Sequence, residues 1–150
     1  MFSYMCLVLS RTVFFIYVCT IYAKYKPSCI SESYYLLKHK WIFTLWVIAI
    51  AFLTFPAWLD ASPDNFQALA FLSVISLIGI GIAPRYLEND RKIHISATCF
   101  AALFSLIWTA VTGLFILPIV LSIILLILYF IKIPNILFWI ETSAFLNIFI

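Results

Sequence analysis

Long apolar runs punctuate the chain at 2–22, 41–59, 66–83, 93–112, 114–131 and 135–150, separated by short segments that hold nearly all the charge. Each run is close to the roughly 20 residues needed to cross a hydrocarbon core of about 30 Å, the last being short. Only helices and closed barrels satisfy every backbone N–H and C=O in that environment. Barrel strands alternate polar and apolar positions, whereas a run such as 114–131 is apolar on every face. The pattern predicts an all-α membrane protein, a bundle of six transmembrane helices with five as the alternative count. Without an internal repeat or a Gly/Ser linker, residues 1–150 read as a single polytopic transmembrane domain. The last run stops at Phe149 and Ile150 with no polar cap, as in a chain cut short within a span.

Composition supports the same reading. Hydrophobic residues make up 66% and charged residues 10%, against roughly a quarter charged in soluble domains. A surface so poor in charge has to face lipid. The net charge of +3 is too small and too dispersed for a nucleic-acid interface, so no nucleic acid is expected as a partner. Cys6, Cys19 and Cys99 fall inside apolar runs and Cys29 in a polar segment, with no CxxC pair. Neither a metal site nor a cofactor is therefore expected.

Basic residues set the expected orientation. Lys24, Lys26, Lys38 and Lys40 lie in the first loop, Arg85, Arg91 and Lys92 in the third and Lys132 in the fifth, while the second loop carries Asp60 and Asp64. By the positive-inside rule loops one, three and five are cytoplasmic, and both termini lie outside. Trp41 and Trp58, at the two ends of the second run, fit an aromatic belt. Arg11 interrupts the first run and no small-x-small site follows Tyr22, which argues against a cleaved signal peptide. In the first loop, Ser31 and Ser33 are placed to cap a short interfacial helix carrying Tyr34, Tyr35, Leu36 and Leu37.

Two runs carry seams of small or weakly polar residues at helical spacing. These are Ala70, Ser73, Ser76, Gly79 and Ala83 in the third, and His94, Thr98, Ala101, Ser105, Thr109 and Thr112 in the fourth. Such seams mark close helix packing, since lipid supplies no hydrophobic drive between helices. Arg11 and Glu141 are ionisable groups within the hydrocarbon and form a candidate intramembrane ion pair, with a proton relay as the competing role. Candidate catalytic residues are His94, Glu88 and Asp90 around the third loop, where a carboxylate can orient an imidazole for acid–base work, with Ser96 a nearby hydroxyl. The first-loop set Ser31, Glu32, Ser33 and His39 lies on the same side and completes a cytoplasmic site if the loops meet.

The stretches Ile30-Ser-Glu-Ser-Tyr-Tyr-Leu-Leu, Gly81-Ile-Ala-Pro84 and Lys92-Ile-His-Ile-Ser-Ala97 resemble those of a group of small, uncharacterised bacterial six-helix integral membrane proteins. The resemblance implies a bacterial cytoplasmic (inner) membrane and no activity. In layout the chain is similar to larger families that act on lipids, but it lacks the several His and Asp residues of a ceramidase-like metal hydrolase. Three functions follow as expectations. The leading one is a non-enzymatic accessory or assembly protein that packs against membrane lipid, another membrane protein or itself. The others are a small enzyme acting on lipid or lipid-linked substrate at the cytoplasmic face, and a proton- or ion-coupled transporter. The orientation is checked by cysteine labelling in intact cells. Cysteines introduced beside Asp60 and Asp64 should react with an impermeant reagent, and those beside Arg91 only after permeabilisation; the reverse pattern overturns the topology.

Overall fold

The computed structural model describes residues 1–83 and 88–149, with the side chains of 88–90 excepted. Every regular element among them is helical. In chain order they are α1 (Phe2–Tyr25), a 3-10 turn (Ile30–Glu32), α2 (Ser33–Leu36), α3 (Trp41–Ala61), a second 3-10 turn (Asp64–Phe66), α4 (Gln67–Ile82), α5 (Glu88–Val111), α6 (Ile116–Phe130) and α7 (Ile136–Ile148). Four segments are long and apolar enough to cross a membrane: Phe2–Tyr25, Trp41–Ala61, Asp64–Ile82 and Arg91–Val111.

The last two runs give shorter helices, 15 residues in α6 and 13 in α7, or about 22 and 20 Å at 1.5 Å per residue. The backbone explains the shortening. Gly113 turns left-handed at φ 77°, and Lys132 and Asn135 adopt φ 59° and 58° on either side of Pro134. These turns take residues away from both ends of the apolar runs. A proline also biases the residue before it away from helical backbone.

Helices α1, α3, α4 and α5 pack in sequence, each against the next, and α7 packs against α5 and α6. The seam of small residues is where α4 meets α5. Of the expected residues Ala70, Ser73, Ala83, His94, Ala101, Ser105 and Thr109 are buried, while Thr98 is exposed and Ser76 half-buried, and a Cβ placed on Gly79 would lie 3.1 Å from the Ala97 Cβ. Aromatic rings fill the space between α1, α3 and α7. Phe14 and Trp46 stack at 6.0 Å, and Phe145 of α7 sits 5.6 Å from Phe14 and 5.5 Å from Trp46. Outward-facing side chains on α6 are almost all large aliphatics or aromatics, from Ile116 to Phe130, as a lipid-facing surface requires.

The far end of the bundle from the first loop is held by tryptophans. Trp58 and Trp108 stack at 4.5 Å and 5°. Trp58 Nε1 donates to the Ile148 carbonyl at 2.7 Å, and Trp108 Nε1 donates to Ser62 Oγ at 2.7 Å, which donates in turn to the Trp58 carbonyl at 2.6 Å. Trp58 is thus an interior residue and not part of an aromatic belt, because its indole N–H finds a carbonyl inside the protein. Trp41 is 60% exposed, as a belt residue should be.

Helix α3 approaches α4 closely at Gly81, where a Cβ would lie 3.1 Å from the Val47 Cβ. Thr44 Oγ1 donates to the Gly81 carbonyl at 2.9 Å in the same contact. Gly81→Leu should therefore force the two helices apart and lower unfolding free energy by about 1–3 kcal/mol. Denaturation in mixed micelles measures it, and an unchanged midpoint would show the contact to be loose.

Candidate functional site

The functional geometry begins where α4 ends. Ala83 caps the end of α4, and a carbonyl at a helix end needs a partner when buried. His94, in the second turn of α5 and 5% exposed, supplies it, with Nδ1 2.8 Å from the Ala83 oxygen. A carbonyl only accepts, so Nδ1 carries the hydrogen. In a neutral imidazole Nε2 is then the acceptor. Ser31 Oγ lies 3.2 Å from Nε2, and with that tautomer the hydroxyl is the donor.

Ser31 is held by α7. Its backbone N–H, in the first turn of the Ile30–Glu32 helix, donates to Glu141 Oε2 at 3.2 Å. Its hydroxyl is 3.5 Å from each carboxylate oxygen, too long for a good O–H···O bond. Glu141 thus fixes the serine through the backbone and leaves the hydroxyl to His94. Neighbouring residues tie the loop down further. Ser33 Oγ and Tyr17 Oη are 2.7 Å apart, and Glu32 accepts from Ser28 N at 2.6 Å and from Ser28 Oγ at 2.8 Å.

The two serines therefore do not cap the short helix, as the sequence suggested. Both are buried and turned into the protein, and no side-chain cap bond forms at either element.

A cavity of about 230 Å³ opens beside this cluster, with Ser31 and Glu141 at one end. Its walls include Leu77, Ile80, Ala101, Phe145 and Ile148 together with Thr98, Ser105, Ser143 and Asn147. Thr98 and Ser143 turn their hydroxyls back onto helix carbonyls at 2.8 and 2.9 Å, as hydroxyls in apolar helices commonly do. Asn147 Oδ1 is buried with no hydrogen-bond partner among the described residues. The chamber is polar at Ser31 and Glu141, and its walls are mainly aliphatic with hydroxyls and the Asn147 amide among them, which suits an amphiphile.

The other expected residues fall as follows. The side chains of Glu88 and Asp90 lie outside the described residues. Ser96 is exposed on α5, and His39 is exposed beside Trp41, ring centroids 6.3 Å apart. Arg11 donates from Nε to the Phe149 carbonyl at 3.0 Å, with a second contact from its Nη2 to the same oxygen. Phe149 lies about two helical turns beyond Glu141, roughly 12 Å at 1.5 Å per residue. Arg11 is thus in contact with Phe149 and Glu141 with Ser31. Among the described residues no cluster of three or more His, Cys, Asp or Glu is arranged to hold a metal ion.

What the sequence reading missed was Glu141 as part of the loop site. A signal was available, since Glu141 and His94 lie at similar depth from the charged ends of their helices. Compared with protein-family models, with curated proteins and with solved structures, the chain matches none.

His94→Ala would remove the bonds to the Ala83 carbonyl and to the Ser31 hydroxyl, so it should cost about 1–3 kcal/mol. A Ser31→Ala/His94→Ala double-mutant cycle should give a coupling of about 0.6 kcal/mol, typical of interhelical hydrogen bonds in bilayers. Strict additivity in mixed-micelle unfolding would show that the two side chains do not interact.

Proposed function

We propose that this chain is a small membrane enzyme that transfers or hydrolyses the acyl group of a lipid or lipid-linked substrate at the cytoplasmic face. Ser31 is its nucleophile and His94 its general base. The single observation that carries the reading is the pair Ser31 Oγ and Nε2 of an imidazole whose Nδ1 is fixed on a backbone carbonyl. Nucleophilic serines need this arrangement, a base within hydrogen-bond reach and a third group that sets its tautomer. In the reaction Ser31 Oγ attacks the ester carbonyl carbon as its proton passes to Nε2. The leaving alcohol takes that proton, and water or an acceptor alcohol then releases the acyl group. The amphiphilic chamber beside Ser31 gives the acyl chain a place to lie.

The proposal places α6 and α7 as the fifth and sixth crossings of a bacterial cytoplasmic membrane, with both termini outside. The distribution of eight of the nine basic residues in loops one, three and five supports that orientation. A second reading keeps the chain as a non-enzymatic accessory protein in which the same cluster is a clasp joining the first loop, α5 and α7. The near-complete burial of Ser31 and His94, 7% and 5% exposed, favours it.

An alkyl fluorophosphonate separates the two. The enzyme reading expects a covalent adduct on Ser31, located by peptide mass spectrometry. Labelling should be absent in Ser31→Ala and at least about a hundredfold slower in His94→Gln. A folded protein whose Ser31 stays unlabelled, combined with a large loss of stability in His94→Gln, establishes the clasp.

A further inference from the structure

A second feature shares no lining residue with the chamber beside Ser31. Helices α1 and α3 and the end of the first loop wall a laterally open groove of about 620 Å³, lined by Val13, Ile16, Ile21, Leu37, Leu45 and Trp46. The polar atoms around it are already engaged. Thr20 Oγ1 donates to the Ile16 carbonyl at 2.6 Å, Tyr17 Oη meets Ser33 Oγ at 2.7 Å and Trp46 Nε1 donates to the Val13 carbonyl at 3.3 Å. The groove offers no spare donor or acceptor from these groups and suits an apolar chain.

Its end is different. The chain passes from Leu37 to Trp41, both lining the groove, through Lys38, His39 and Lys40, all exposed. Lys40 Nζ is held 5.6 Å over the Tyr34 ring and 5.5 Å over the Tyr35 ring. The nearest acid in sequence, Glu32, is engaged by Ser28. An apolar slot that ends at two fixed-sign charges beside an exposed tryptophan complements a molecule with an acyl chain and an anionic head.

We propose that this groove is a binding site for an anionic phospholipid of the leaflet facing the first loop, its chain between α1 and α3 and its phosphate at Lys38 and Lys40. The lysines give the selectivity, since basic residues next to an apolar anchor attract anionic lipid electrostatically. Trp41 marks the headgroup level. The site is independent of the acyl-transfer reading and stands or falls separately.

The test uses the full chain in phosphatidylcholine nanodiscs into which brominated phosphatidylglycerol or brominated phosphatidylcholine is titrated. The readout is tryptophan fluorescence, with Trp41→Phe identifying the Trp41 contribution. Brominated phosphatidylglycerol should quench saturably at low mole fraction, and the phosphatidylcholine analogue only in proportion to its abundance. The double substitution Lys38→Gln, Lys40→Gln lies on the exposed rim and should leave helicity unchanged while raising the half-saturating mole fraction about tenfold or more. Equal quenching by the two lipids, or saturation indifferent to the lysine substitutions, overturns the proposal.

Discussion

The organisation of this protein follows from one constraint, that a polar group inside hydrocarbon must find its partner within the chain. The Ala83 carbonyl shows how far that requirement reaches. Ending α4 exposes an acceptor, and the acceptor takes the hydrogen of His94 Nδ1. That choice dictates the tautomer and leaves Nε2 to receive Ser31. Receiving Ser31 draws the first loop into the bundle, where its N–H meets Glu141. One carbonyl at a helix end thereby organises contributions from the first loop, α5 and α7.

The helical class was legible because composition leaves no alternative, and the four long helices coincide with the first four apolar runs. Small residues at three- and four-residue spacing in runs three and four marked a real interface, since only short side chains permit the Gly79 and Ala97 approach. The trimming of the last two helices was not legible. It depends on left-handed backbone at Lys132 and Asn135; Asn favours that conformation, but Lys does not and gives no sign of it. Trp58 shows the same limit. A tryptophan at a helix end has one sequence signature whether it faces headgroups or a buried carbonyl, and only the position of Ile148 decides.

The site was half legible. That the first and third loops share a side follows from their basic residues, and His94 stood out as an imidazole at a helix entrance. Ser31 and Ser33 were misread as helix caps because a hydroxyl before a short helix fits a local bond as well as a distant one. Their tertiary partners, His94 and Tyr17, lie 63 and 16 positions away in the chain. Glu141 invited pairing with Arg11 on charge alone, whereas the structure turns Arg11 towards Phe149 and Glu141 towards Ser31.

The stacked indoles of Trp58 and Trp108 have a mechanical consequence. They rivet the ends of α3 and α5 through a ring contact and through Ser62, and Trp58 adds α7 by its bond to Ile148. At the opposite end, α5 and α7 are linked through Ser31, which relies on hydrogen bonds of 3.2 Å to each. Because Trp58 alone reaches Trp108 through its ring, Ser62 through its carbonyl and Ile148 through its indole N–H, a single side-chain position ties three helices together at the tryptophan tip.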